Sequence, residues 1–218
     1  MKNQAVIFDM DGVICHTNPF HSEAFKVFFG KRGLNPTEEE FENHMYGKSN
    51  KYIFKHFLGR EIVGEEFISL ENEKEGLFRE IYADKIITLP EFLPFLETLK
   101  NDGFRTGVAT SAPRANLDLI MGALKFAPKM ESILASENVK NHKPDPEVYL
   151  TSAKLLDVNP ENCLVFEDSF SGVTAAINAG MKVVGVLSSH KQEELPPCQL
   201  YINDYTEINL ETVRELMS

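Results

Sequence analysis

The stretch Ala5-Val6-Ile7-Phe8-Asp9-Met10-Asp11-Gly12-Val13 passes from four apolar residues straight to two carboxylates and a glycine. A short apolar run that ends at turn residues has the signature of a strand buried on both faces, as in parallel sheets. Residues two apart on an extended chain face the same way, so Asp9 and Asp11 can point together at the strand's C-terminal end. Gly12 lets the backbone turn sharply there. Open parallel sheets bind ligands at that end, which makes these two acids candidate site residues.

Similar apolar runs recur at Thr106 to Ala109, Ile133 to Ala135, Leu164 to Phe166, Val183 to Val186 and Leu200 to Ile202, with helical patterns between them. This alternation predicts an α/β fold, a parallel sheet with helices on both faces. Pro90 and Gly103 bracket one helix, Asp145-Pro146 opens another running to about Leu156, and Gly180 closes a third that starts near Gly172. The long segment between the first two strands has almost no strand signal but four helical stretches, near Phe20 to Lys31, Thr37 to Met45, Lys51 to Leu58 and Glu65 to Tyr82. It is too long for one crossover helix and reads as an inserted all-helical domain, residues 17–86, within a sheet domain formed by 1–16 and 87–218. Thr37 and Glu40 have the spacing of a capping box for the second of these helices.

The 218 residues carry 22 Lys and Arg against 33 Asp and Glu, a net charge of −11, and 43% of them are hydrophobic. That composition suits a soluble globular chain and gives no general attraction to nucleic acid or anionic membrane. The longest stretch without a charge, Ser169 to Met181, is polar in places and shorter than the ~18 apolar residues of a membrane span. Met1-Lys2-Asn3-Gln4 runs directly into the first strand with no room for a secretory core, which predicts a cytoplasmic chain. Cys15, Cys163 and Cys198 fit neither a disulfide framework nor a thiolate zinc site.

The other strand ends carry matching chemistry. Ala109-Thr110-Ser111-Ala112 offers hydroxyls and loop amides to an anion, and Phe166-Glu167-Asp168-Ser169 adds two more acids. Lys143, in His142-Lys143-Pro144-Asp145-Pro146, precedes a helix. Gathered at one edge, Asp9, Asp11, Glu167 and Asp168 would repel one another and any anionic substrate. A hard divalent cation relieves that, and an all-oxygen site with room for water suits Mg²⁺. Thr110 and Lys143 then supply a hydroxyl donor and a fixed positive charge for phosphoryl oxygens, which makes a phosphoryl-transfer site.

In order and spacing, Asp9-x-Asp11-Gly12-Val13, Thr110, Lys143-Pro144-x-Pro146 and Glu167-Asp168-Ser169 resemble the four motifs of the haloacid dehalogenase superfamily. The likeness covers essentially the whole chain, and the insert resembles the helical cap of the β-phosphoglucomutase-like and phosphatase subgroup, set on a Rossmann-like core. The resemblance implies that Asp9 attacks phosphorus to form an aspartyl phosphate, while Asp11 protonates the leaving group and then activates water. It also implies Mg²⁺ held by the Asp9 side chain, the Asp11 backbone carbonyl and Asp168, with Glu167 nearby through water. The substrate expected is a small phosphorylated metabolite, a sugar phosphate above all, with neither nucleic acid nor membrane as partner. Asp11 argues against a dehalogenase, because carbon–halogen displacement needs no acid there, whereas a departing alkoxide needs a proton.

Within the insert, His21 resembles the mutase cap histidine. Lys74 interrupts an apolar stripe of Phe67, Leu70, Phe78 and Ile81 and resembles the subgroup's cap lysine. The same subgroup's Gly-x-Ser-Arg stretch is replaced by Gly47-Lys48-Ser49-Asn50-Lys51, and Asn50 cannot make the arginine's bidentate charged contact with a second phosphate. The alternatives are a β-phosphoglucomutase, favoured by His21 and Lys74 but not by Asn50, then a pyrophosphatase. A non-enzymatic phospho-receiver would need neither the insert nor the Asp-x-Asp spacing.

Overall fold

The computed structural model describes residues 3–45 and 48–218. The chain divides into two compact units, Met1–His16 with Ile86–Ser218, and Thr17–Lys85.

The first unit is built on six parallel strands, β1 (Ala5–Phe8), β2 (Arg105–Ala109), β3 (Ser132–Leu134), β4 (Cys163–Glu167), β5 (Lys182–Val186) and β6 (Leu200–Ile202). Their order is β3-β2-β1-β4-β5-β6, so the chain builds outward from β1 on one side and then returns to build on the other. Phe8 pairs with Val108 of β2 and with Phe166 of β4, which aligns the ends of these strands. Such a reversal of strand order opens a crevice at the C-terminal edge.

Alternate residues of each strand feed the two faces. Ala5 and Ile7 join Cys163, Val165 and Val183 in a cluster with Val148, Tyr149 and Ala153 of helix α7 (Glu147–Leu155) and Val173 and Ala176 of helix α8 (Phe170–Asn178). On the other face Phe8 stacks on Phe166 at 5.1 Å and meets Phe92 of helix α5 (Phe92–Asn101) edge-on at 5.3 Å, with Tyr205 closing the group. Helix α6 (Arg114–Leu124) follows β2, and α9 (Leu210–Leu216) ends the chain. At roughly 1.5–3 kcal/mol per fully buried side chain, these layers offset the cost of crowding carboxylates at the end of β1. Helix α5 begins one residue later than the sequence pattern suggests, because Glu91 takes a left-handed φ of 60° after Pro90.

The second unit holds α1 (Asn18–Gly30), α2 (Glu38–His44), α3 (Asn50–Leu58) and α4 (Gly64–Tyr82) around Phe25, Phe28, Phe29, Phe41, Ile53 and Phe54. Thr37 and Glu40 form both bonds of the capping box at the start of α2. Gly47 lies outside the described residues. No described helix is long and apolar enough to cross a membrane.

Candidate active site

The end of β1 turns within a few residues. The Asp9 amide donates to the Phe166 carbonyl at 3.0 Å, and the Met10 carbonyl accepts the amides of Val13, Ile14 and Cys15. Gly12 has φ +72°, and a Cβ there would lie 2.0 Å from Asp168 Oδ2. Only glycine allows both the left-handed turn and this close approach, which brings the β1 loop against the end of β4. Asp9 is thereby left only 6% exposed, with Asp11 half-buried beside it.

Lys143 is the cation at the centre. Its ammonium donates to Asp9 Oδ1 at 2.6 Å, Glu167 Oε1 at 2.7 Å and the Ala109 carbonyl at 3.2 Å, and it lies 4.8 Å from the centre of the Tyr149 ring. The Lys143–Pro144 peptide bond is cis. Glu167 spends its oxygens on scaffolding: Oε1 also accepts from the Tyr149 hydroxyl at 3.0 Å, and Oε2 accepts from the Asp168 and Ser169 amides, each at 2.9 Å, and from the Ser169 hydroxyl. Ser169 in turn caps α8 by accepting the Gly172 amide. A Cβ on Gly172 would stand 1.6 Å from Glu167 Oε1, so a glycine is required there for α8 to start against this carboxylate.

Thr110, buried at the end of β2, extends the ladder through its amide to the Leu134 carbonyl at 3.0 Å. Its hydroxyl oxygen accepts the Ala112 amide at 3.0 Å, so the hydroxyl proton is available to an acceptor. Ser111 is exposed on the same loop, and Arg114 beyond it pairs with Asp118 at 2.7 Å.

The charges at this edge do not balance. Burial pushes the Asp9 carboxyl up to about 7 against the pull of Lys143, with Glu167 and Asp11 adding to the rise. Burial, then Glu167 and Asp9, holds the Asp168 carboxyl well above the usual range. Burial alone would lower the Lys143 ammonium, but Asp9 and Glu167 outweigh it and keep it well above its ordinary value. Oxygen donors with an excess of buried negative charge fit a hard divalent cation. Among the described residues no group of three or more His, Cys, Asp or Glu side chains stands ready to hold a metal. Two side chains and a backbone carbonyl would be few ligands for Ca²⁺ but suit Mg²⁺, which keeps several waters and takes further oxygens from a phosphoryl group.

His21, Lys74 and Asn50 come together inside the helical unit. Lys74 is 2% exposed; its ammonium meets His21 Nδ1 at 2.7 Å, donates to Glu75 Oε1 at 2.8 Å and lies 4.4 Å from the Phe25 ring. An ammonium has no lone pair, so Nδ1 is the acceptor and His21 carries its proton on Nε2. The His21 ring stacks on Phe78 at 3.8 Å. Asn50 donates to Glu71 at 3.0 Å and Glu75 at 2.9 Å. Burial would raise the Glu75 carboxyl, but the charge of Lys74, the largest of the opposing causes, leads in bringing it down to about 2. Lys74 is therefore a buried, paired cation rather than one reaching out to solvent.

Four residues without a sequence signal of their own complete the core group. Tyr149 looks like an ordinary apolar position of α7, although a buried tyrosine needs a partner for its hydroxyl. Ser188, Ser189 and His190 follow β5 after Leu187, a polar run at the ligand-binding edge, and all three bond to the Gly12 or Asp168 region.

The family model for haloacid dehalogenase-like hydrolases matches residues 6–186, which take in the ends of β1, β2 and β4 with Lys143 between them. The chain belongs to this family. A Thermotoga maritima relative named phosphorylated carbohydrates phosphatase is 33% identical over 190 residues, covering 85% of this chain and 86% of its own. The Bacillus subtilis β-phosphoglucomutase is 28% identical over 222 residues, 97% of this chain and 94% of that one. Among solved structures, a family IA hydrolase of this type from Entamoeba histolytica superposes with a TM-score of 0.92 at 28% identity, covering 98% of this chain and 99% of the other. The parallel sheet is thus that of a haloacid dehalogenase-like hydrolase.

Proposed function

We propose that this protein is a Mg²⁺-dependent phosphohydrolase that releases phosphate from a small phosphorylated carbohydrate through an aspartyl phosphate on Asp9. The observation that carries the reading is the Asp9 carboxylate, buried at the end of the central strand and held by Lys143 at 2.6 Å beside Asp11, Asp168 and the Thr110 hydroxyl. The name and 33% identity of the Thermotoga relative support the substrate class.

In the first half-reaction an Asp9 oxygen attacks phosphorus, the bond from phosphorus to the leaving oxygen breaks, and Asp11 passes that oxygen a proton. In the second, Asp11 takes a proton from water as the water oxygen attacks phosphorus; the bond to Asp9 breaks, and inorganic phosphate and the free carboxylate result. Lys143 holds the attacking carboxylate in place and offsets charge on the phosphoryl oxygens, and the Thr110 hydroxyl donates to one of them. Asp9, the Asp11 carbonyl and Asp168 would hold Mg²⁺, which when bound would offset the negative charge of the acids and of the phosphoryl group. Glu167 positions Lys143 and the Asp168 amide. The helical unit is the cap, with His21, Lys74 and Asn50 as its candidate substrate residues.

A mutase reading draws on the His21 and Lys74 pair, but Asn50 faces two glutamates rather than offering a cation for a second phosphate. Phosphate release with Mg²⁺ and with chelator across sugar phosphates, nucleotides and pyrophosphate tests the proposal, with β-glucose 1-phosphate followed for glucose 6-phosphate in the presence of the bisphosphate activator. Sustained Mg²⁺-dependent release from a sugar phosphate is expected. Isomerisation without net release would replace the phosphatase by the mutase.

A further inference from the structure

We infer that the loop Ser188-Ser189-His190 is a positioning clasp that fixes the Asp168 carboxylate for the divalent cation. The inference rests on the proposed role of Asp168 in holding Mg²⁺ and adds three residues that lie outside the four motifs. The Ser188 hydroxyl donates to the Gly12 carbonyl at 2.6 Å and lies 3.3 Å from Asp168 Oδ2. The Ser189 hydroxyl bonds to the same Oδ2, and His190 Nδ1 lies 3.0 Å from the Asp168 carbonyl.

The chemistry of the partners assigns the protons. Backbone carbonyls only accept, so Ser188 gives its single proton to Gly12 and His190 carries its proton on Nδ1. Ser189 is then the donor that engages Oδ2 and fixes the carboxylate's orientation. The loop is tied at both ends: the Leu187 amide donates to the Ile202 carbonyl at 2.8 Å, and the Lys191 amide to Glu194 at 2.7 Å. Three consecutive residues between these ties therefore hold the β1 turn, the carboxylate and the backbone of Asp168 together. The fit leaves no slack, since a Cβ on Gly12 would stand 2.0 Å from Asp168 Oδ2 and 2.6 Å from Ser188 Oγ. Partners of this kind orient a metal-holding carboxylate and tune its affinity without touching the metal.

The test is calorimetric titration of Mg²⁺ into the metal-stripped full chain, compared for wild type, Ser188→Ala, Ser189→Ala, Ser189→Thr and Asp168→Asn, with thermal unfolding in chelator as the check on folding. Ser188→Ala and Ser189→Ala are expected to weaken Mg²⁺ binding on the order of 10–100-fold, while Ser189→Thr, which keeps the hydroxyl, restores it. Turnover should need correspondingly more Mg²⁺, with the KM for the phosphorylated substrate unmoved. Should Ser189→Ala fail to fold, Ser188→Ala carries the same expectation. Wild-type affinity in the alanine variants, with or without a lowered unfolding temperature, would overturn the clasp. If Asp168→Asn weakens binding and the serine variants do not, the clasp alone falls; if Asp168→Asn binds like wild type, the proposed Mg²⁺ role of Asp168 falls with it.

Discussion

Asp9→Asn is expected to lower phosphate release on the order of 10⁴-fold or more, while the far-ultraviolet circular dichroism and unfolding temperature stay close to wild type. The amide is isosteric, and its oxygen can still accept from Lys143, whose other partners Glu167 and the Ala109 carbonyl remain in place. What is lost is the nucleophile, since an amide oxygen in this position cannot form the acyl phosphate. Measuring release and unfolding on the same preparation separates chemistry from folding. Wild-type turnover in a folded Asp9→Asn variant would remove Asp9 from the mechanism.

Lys143→Met has the second large effect, and on both properties. The Lys143 side chain is 5% exposed, and its ammonium pairs with two carboxylates that are themselves nearly buried, at 2.6 and 2.7 Å. Removing the one cation from such a group leaves uncompensated buried charge, which costs about 3–5 kcal/mol. For a chain of this size that lowers the unfolding temperature on the order of 10 °C, measured in chelator so that no metal takes over the compensation. Catalysis falls too, because Asp9 and the phosphoryl oxygens lose the same charge. An unchanged melting temperature would mean that Lys143 does not balance these acids.

The sheet was legible because its strands are short apolar runs that end in turns, and the acids sit where the runs stop. Asp9, Asp11, Thr110, Glu167 and Asp168 could be singled out by position, since each lies at or just beyond the end of an apolar run, whereas Lys143 lies on the loop before α7 and stood out by its Lys-Pro-x-Pro context and the motif order. The role of Glu167 as a hub could not, because its five donors come from Lys143, Tyr149, its own following amides and Ser169, and their convergence depends on the packing of α7 and α8. Gly172 reads as a helix start and shows its reason only against Glu167. Ser188 stands 176 residues from Gly12, a separation across which no local pattern carries information. Lys74 was out of pattern in its stripe for a reason the stripe itself does not contain: its partners His21 and Glu75 let the helical core accept a buried ammonium.

The most direct test of the phosphoryl-transfer chemistry is to stop the enzyme with acid during turnover of a sugar phosphate and reduce it with borohydride, which converts an aspartyl phosphate to homoserine. The peptide that carries residue 9 is then sequenced by mass spectrometry. A nucleophilic Asp9 predicts homoserine at position 9 in samples taken during turnover, and none without substrate. Intact aspartate at position 9 throughout steady phosphate release, or homoserine at another aspartate, would contradict it.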